Sequence, residues 1–295
     1  MDVILHLGVH RTATTALQNL LAAASGRLAE GGIRYLGPQR MRAAGLAAHV
    51  TRRERGDGDA RALDAARAAL APHWQPAARQ ILISEENLIG AMLHNYRLGH
   101  LYPAAEARLA ALRALLPAPP AAVFVTIRDF AGYWPSVHAH LALRRRVAAG
   151  FEAERLAASR GNSWLPLLRA TRAVFPEARL GVWRYRDLPG LVPGLAAALT
   201  GLEDLAAAGA APAARANASL GAATLRRLAR VADPAERRRL IRAARSAPRT
   251  TARTPFPAEA AARLGAAFEA EWQAIAGGAV AGAEAVDPAH LQEAG

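Results

Sequence analysis

The sequence predicts an α/β domain: a parallel central sheet flanked by helices, with a mostly helical C-terminal part. Three observations carry this. Short apolar runs lack the period-two alternation of half-buried strands. Stretches with helical spacing of leucines separate those runs. The residues able to do chemistry fall just after the runs, where parallel sheets bind their ligands.

The elements follow in order. Residues 3–7 form a buried strand that feeds a turn at Gly8. Residues 14–24 read as a helix, with Leu17, Leu20 and Leu21 on one face. Gly31 and Gly32 stop it, and residues 33–36 make a second strand. Residues 41–70, rich in alanine and arginine, hold helices broken near Gly56, Asp57 and Gly58. Residues 80–84 (QILIS) are a third strand, leading into Glu85 and Glu86. Residues 104–116 are a helix ended by Pro117, Pro119 and Pro120. Residues 121–127 (AAVFVTI) are the clearest strand and run into Arg128 and Asp129. Residues 164–175 are a helix and 180–185 a fifth strand, closing on Tyr185 to Asp187. The rest is mostly helical, with loops at 209–216 and 246–257.

The length and 52% hydrophobic content suit a single domain over residues 1–276, although length alone also allows two. The tail at 277–295, rich in alanine and glycine, reads as loosely ordered. There is no cysteine, which excludes disulfides and thiolate metal sites and fits a reducing, cytoplasmic setting. The N-terminus lacks the basic and long apolar segments of a signal peptide. No apolar run reaches membrane-spanning length. None of the nine histidines forms a convincing metal set.

The net charge of +13 invites a nucleic-acid reading. The sequence has no lysine, however, so all 37 basic residues are arginine, and alanine fills every helical stretch. That joint bias points to coding composition more than to a binding face. The positive field still draws polyanions, such as a nucleotide with several phosphates or an acidic polysaccharide.

His6 to Leu17 (HLGVHRTATTAL) is strand end, turn and helix start. Backbone N–H groups of such a turn, with the helix N-terminus, make an anion cradle. Thr12, Thr14 and Thr15 add hydroxyls. Set against the nucleoside-triphosphate pattern G-x-x-x-x-G-K-[ST], Gly8 and Thr15 fit, whereas Ala13 stands for glycine and Thr14 for lysine. Arg11 brings the basic charge three positions earlier.

His10-Arg11-Thr12-Ala13-Thr14-Thr15 resembles the loop that follows the first strand in P-loop sulfotransferases. The resemblance extends to Arg128 and Ser136, eight residues apart after the clearest strand, and to Tyr185-Arg186-Asp187-Leu188 after the fifth. It covers about a tenth of the chain, in family order. It implies a P-loop nucleotide-binding, sulfotransferase-like fold and a donor, 3′-phosphoadenylyl sulfate (PAPS), used without a metal. Gly8, Arg11, Thr12, Ala13, Thr14 and Thr15 would hold its 5′ end. Arg128 and Ser136 would grip the 3′-phosphate, with Tyr185 near the adenine. Arg11 stands where the family has lysine, a planar fork in place of a compact ammonium. Arg186 replaces an acidic residue. The family's glycine-rich C-terminal donor segment is not recognisable; the Arg-rich stretch at 245–253 offers a substitute. Asn217-Ala218-Ser219-Leu220 resembles a segment of bacterial members.

Sulfuryl transfer needs positioning and charge stabilisation. By this reading Arg11 steadies the departing phosphate oxygen, and His10, inside the loop, is a second group for that oxygen. A base must take the proton of the acceptor. Glu85 and Glu86 leave the third strand to opposite sides, so one of them faces the site; the Ser84-x-Glu86 spacing resembles bacterial members and favours Glu86. The competing reading makes both the acidic first turn of a helix. Tyr133 and Trp134 are either acceptor-pocket or core aromatics. The acceptor, whether carbohydrate, lipid or small molecule, is not legible.

Two other functions stay open. A P-loop nucleotide kinase or NTPase would use Mg-ATP, with Asp129 or Glu85 as an acidic magnesium ligand, although Thr14 occupies the lysine position. An arginine-rich nucleic-acid binder would use Arg144 to Arg146 and Arg237 to Arg239, but no recognised nucleic-acid motif accompanies them.

Overall fold

The computed structural model of the protein describes residues 1–54, 60–74, 77–185, 192–205, 220–246 and 255–286. The expected helix break at 56–58, Arg186, Asp187, Asn217 to Ser219, the loop at 209–216 and residues 247–253 lie outside the described residues.

Six strands form one sheet: β1 Asp2–His6, β2 Ile33–Leu36, β3 Gln80–Ser84, β4 Pro120–Ile127, β5 Arg179–Arg184 and β6 Ala283–Val286. Their order is β2-β3-β1-β4-β5-β6, and every pairing is parallel. This is the α/β fold the apolar runs predict. β3 is buried at all five positions, and β4 at all but Ala121, because helices cover both faces.

On one face lie α1 (Thr14–Ala23), α2 (Ser25–Glu30) and α11 (Val192–Thr200). Leu17, Leu20 and Leu21 of α1 and Leu28 of α2 pack with Val192, Leu195 and Leu199 against Phe124 and Trp183 of the sheet. Between α2 and β3 the chain adds α3 (Pro38–Ala43), α4 (Leu46–Glu54) and α5 (Ala60–Leu70). After β3 come α6 (Met92–Leu98), α7 (Ala105–Arg113), α8 (Phe130–Leu143), α9 (Ala153–Ala157) and α10 (Leu165–Val174). The C-terminal part supplies α12 (Ala222–Ala229), α13 (Pro234–Ser246) and α14 (Ala258–Ala276). The larger core on the other face draws on α4, α7, α8, α10 and α14. Its centre is aromatic: Phe130, Tyr133, Trp134 and Trp164 are fully buried, with ring centroids as close as 5.0 Å. Each such side chain contributes about 1.5–3 kcal/mol of burial or more.

The sequence reading did not include α6, α9 or β6. β6 lies inside the stretch read as loosely ordered: Ala283–Val286 pairs with β5 along four residues.

The chain leaves β1 towards the β2 edge, whereas β4 leads away to β5. Adjacent β1 and β4 therefore form the switch point of the sheet, and sheets of this kind bind ligands in the crevice beyond the carboxyl ends at that point. Among the described residues no helix is long and apolar enough to cross a membrane.

Candidate functional site

The loop after β1 first extends the ladder with β4. Leu7 N–H donates to the Phe124 carbonyl at 2.9 Å and Val9 N–H to the Thr126 carbonyl at 3.4 Å. The chain then turns through two left-handed residues, Arg11 (φ 69°) and Ala13 (φ 54°). Neither is glycine, so the backbone carries strain of about 1–2 kcal/mol at each. Ala13 is the N-cap of α1, and no side chain caps that helix start. Gly8 is required by close approach: a Cβ there would lie 2.7 Å from Thr14 Oγ1 and 2.9 Å from the His6 ring.

The loop threonines divide. The Thr12 hydroxyl donates to the Val9 carbonyl at 2.6 Å and lies 3.3 Å from the Thr14 hydroxyl, and both residues are buried. Thr15 is exposed. The Thr12 hydroxyl thus braces the turn.

Arg11, Arg128 and Ser136 meet here although they are far apart in sequence. Arg11 Nε donates to Ser136 Oγ at 2.9 Å. Arg128 Nη1 donates to the Arg11 carbonyl at 2.7 Å. The Arg128 guanidinium lies 4.6 Å from the centre of the Tyr185 ring, and its buried Nε has no acceptor. Burial first and the charge of Arg128 second pull the Arg11 pKa down to about 10. Burial likewise lowers that of Arg128. Two desolvated guanidiniums side by side are unfavourable unless an anion joins them.

His10 is locked. Its N–H donates to the Tyr102 hydroxyl at 2.9 Å, and its Nδ1 lies 2.6 Å from the same oxygen. Its Nε2 lies 3.3 Å from Asn87 Oδ1. Since Asn87 Oδ1 can only accept, the proton belongs on Nε2, and the Tyr102 hydroxyl donates to Nδ1. Both ring nitrogens are engaged, and burial lowers the pKa of the ring. Tyr102 itself has φ 48° and packs against Gly90, whose added Cβ would lie 2.8 Å from its ring.

Glu85 and Glu86 do diverge. Glu85 is fully buried and takes a two-pronged bond from Arg42, at 2.9 and 3.1 Å, plus the Asn87 N–H at 3.0 Å. Glu86 is partly exposed and accepts from Gln18 Nε2 at 3.0 Å, with Arg42 Nη2 3.7 Å away. Its charge acts on His6, His10 and Tyr35. His6 bonds Ser84 Oγ at 2.8 Å, and burial takes its pKa down to about 4. Asp129 caps its own helix by accepting from the Gly132 N–H at 2.6 Å.

Tyr133 and Trp134 are core residues, fully buried. Asn95 Nδ2 donates to the Tyr133 hydroxyl at 3.0 Å, and Trp134 Nε1 donates to Asn162 Oδ1 at 2.7 Å. A cavity of about 520 Å³ lies behind Asn87 and Tyr102, between α4 and α6. Among the described residues no group of three or more histidines and carboxylates could hold a metal ion.

Sequence reasoning missed Gln18, Arg42 and Tyr102, and gave Asn87, at the end of the third strand, no role. Gln18 had a signal: it lies one helical turn after Thr14, on the same face. Asn87 directly follows Glu86. Arg42 and Tyr102 reach the site from remote segments and leave no local trace.

No family model matches the sequence, no curated protein matches it, and no solved structure matches it.

Proposed function

We propose that the protein is a sulfotransferase that moves a sulfuryl group from 3′-phosphoadenylyl sulfate to a hydroxyl or amine of a carbohydrate, lipid or small-molecule acceptor. The observation that carries this reading is the meeting of Arg11, Arg128 and Ser136 beside the uncapped start of α1, at the switch point of the sheet. A guanidinium pair with a hydroxyl beside a helix start that no side chain caps suits a ligand with phosphates at two ends.

In this reading the loop N–H groups and Arg11 bind the 5′ end, and Arg128 and Ser136 bind the 3′-phosphate. The donor supplies an activated sulfuryl group whose leaving group is already a phosphate. Arg11, still charged at neutral pH, steadies that phosphate as the bond to sulfur breaks. Glu86 takes the proton from the acceptor as the new sulfur bond forms; Gln18 and Arg42 hold its carboxylate in place. Glu85 is unsuited to that task, because its oxygens are taken by Arg42 and Asn87. His10 acts as a brace for the loop, since both of its nitrogens are occupied. The reading takes the chain to work in the cytoplasm, in keeping with its lack of cysteine.

The kinase alternative asks for an acidic magnesium ligand. Asp129 is spent on capping α8 and Glu85 on Arg42, and Thr14 stands in the lysine position. Isothermal titration in EDTA tests the choice. Adenosine 3′,5′-bisphosphate binding at micromolar levels without a divalent ion is the expected result. Binding of ATP only with magnesium, and no binding of the bisphosphate, would overturn it.

A further inference from the structure

We infer that His140 is a further residue of the anion site and takes up a proton when a multiply charged anion settles against Arg11 and Arg128. The inference rests on the donor reading above and concerns the same site.

The geometry comes from α8. Ser136 faces the loop, since its hydroxyl accepts from Arg11 Nε at 2.9 Å. His140 follows one helical turn later on that face and is half-buried. His138, two residues earlier, points the other way. It is buried, its Nε2 lies 3.0 Å from the Ala148 carbonyl, and its ring packs on Tyr96 and Phe151. The two histidines have different jobs: His138 belongs to the core and His140 to the crevice.

The charges around His140 all repel a proton. Burial first, then the charges of Arg11 on the loop and of Arg144 just past the end of α8, bring its pKa down to about 4. Three other helices pack on α8. α6 brings only His94 and Arg97, and α12 only Arg226 and Arg227. The three glutamates of α14 are committed elsewhere. Glu259 lies 3.9 Å from Arg263, Glu269 accepts from Arg184 at 2.8 Å, and Glu271 accepts from the Ser163 hydroxyl and the Trp164 N–H. Among the described residues, these elements hold no uncommitted carboxylate to balance the His140 ring.

A bound polyanion reverses the sign of that field. A nearby opposite charge raises a histidine pKa by about 1–3 pH units. His140 then passes from neutral to cationic near pH 5.5 and donates a charge-assisted hydrogen bond to the anion. The site would thereby favour doubly phosphorylated adenosine over adenosine with one phosphate, most strongly under mildly acidic conditions.

Titration calorimetry with adenosine 3′,5′-bisphosphate at pH 5.5 and 7.5, in buffers of different ionisation enthalpy, compares the wild type with His140→Gln. For a rise of about two pH units, the wild type takes up about 0.7 proton more than the variant at pH 5.5. Its affinity advantage over the variant is about fourfold at pH 5.5 and vanishes at pH 7.5. The His140 imidazole C2–H signal, assigned by its loss in the variant, reports the same shift directly in the wild type. A His140 titration that ignores saturating bisphosphate overturns the inference while leaving the donor reading intact. No binding by the wild type at either pH overturns both.

Discussion

Replacing Arg128 with methionine should leave the ligand-free fold almost as stable and cripple anion binding. The substitution removes the bond to the Arg11 carbonyl at 2.7 Å, worth about 1.5–3 kcal/mol. It also removes the contact with the Tyr185 ring at 4.6 Å, worth about 0.5–2 kcal/mol. Against these losses it relieves repulsion from Arg11, about 2–3 kcal/mol for unit charges roughly 6–8 Å apart at an effective dielectric of about 20. It also deletes the buried Nε that has no acceptor, a cost of about 1–3 kcal/mol in the wild type. The terms nearly cancel, so urea denaturation should show a stability change within about 2 kcal/mol of zero. Calorimetry should show adenosine 3′,5′-bisphosphate bound about 30–150-fold more weakly, the loss of a charge-assisted contact of about 2–3 kcal/mol. A fall in stability beyond about 4 kcal/mol with unchanged affinity would refute the reasoning and make Arg128 a brace of the fold.

Glu86→Gln should lower turnover at least about 100-fold and leave bisphosphate affinity within about threefold, as measured by donor-dependent sulfation of acceptors in a cell extract; full activity would remove Glu86 as the base. Ala13→Gly relaxes the left-handed N-cap of α1 and should raise unfolding free energy by about 0.5–1 kcal/mol in urea; a loss would mean that the strain argument at φ 54° fails. His6, held neutral with a pKa of about 4 against 6.5 in an unfolded chain, binds its proton only after unfolding in that window. Stability should therefore be flat above pH 6.5 and fall as pH drops towards 4, by up to about 1.4 kcal/mol per pH unit for this residue; an unchanged urea midpoint between pH 7 and 4.5 would contradict it.

The parts of the fold that could be read from sequence are those whose burial is set by their own residues. β3 and β4 are runs of consecutive apolar side chains, and only a strand covered on both faces needs that. α1 shows its buried stripe at Leu17, Leu20 and Leu21. β6 left no such mark. Its residues Ala283–Val286 are mostly half-exposed, and what makes them a strand is the unpaired edge of β5, about a hundred residues earlier. The same division runs through the site. Arg11, Arg128, Ser136 and Glu86 were visible because each follows a strand or helix start at a fixed spacing. The lock on His10 was not, because Tyr102 lies 92 residues away and takes a backbone conformation rare for tyrosine. His140 has no motif of its own, and its one sequence signal is its place one helical turn after Ser136.

The sheet is narrowest at its margins. Its longest strand, the eight-residue β4, lies in the interior, and the two outermost strands, β2 and β6, have four residues each. β6 carries Glu284, whose carboxylate stands half in solvent 3.7 Å from Arg179. A foreign strand arriving at either border would find little ladder to copy and, at the β6 border, a charge to desolvate. Fibrillar growth by edge-to-edge accretion is therefore discouraged at both ends of a sheet whose middle, if exposed, would be highly prone to it.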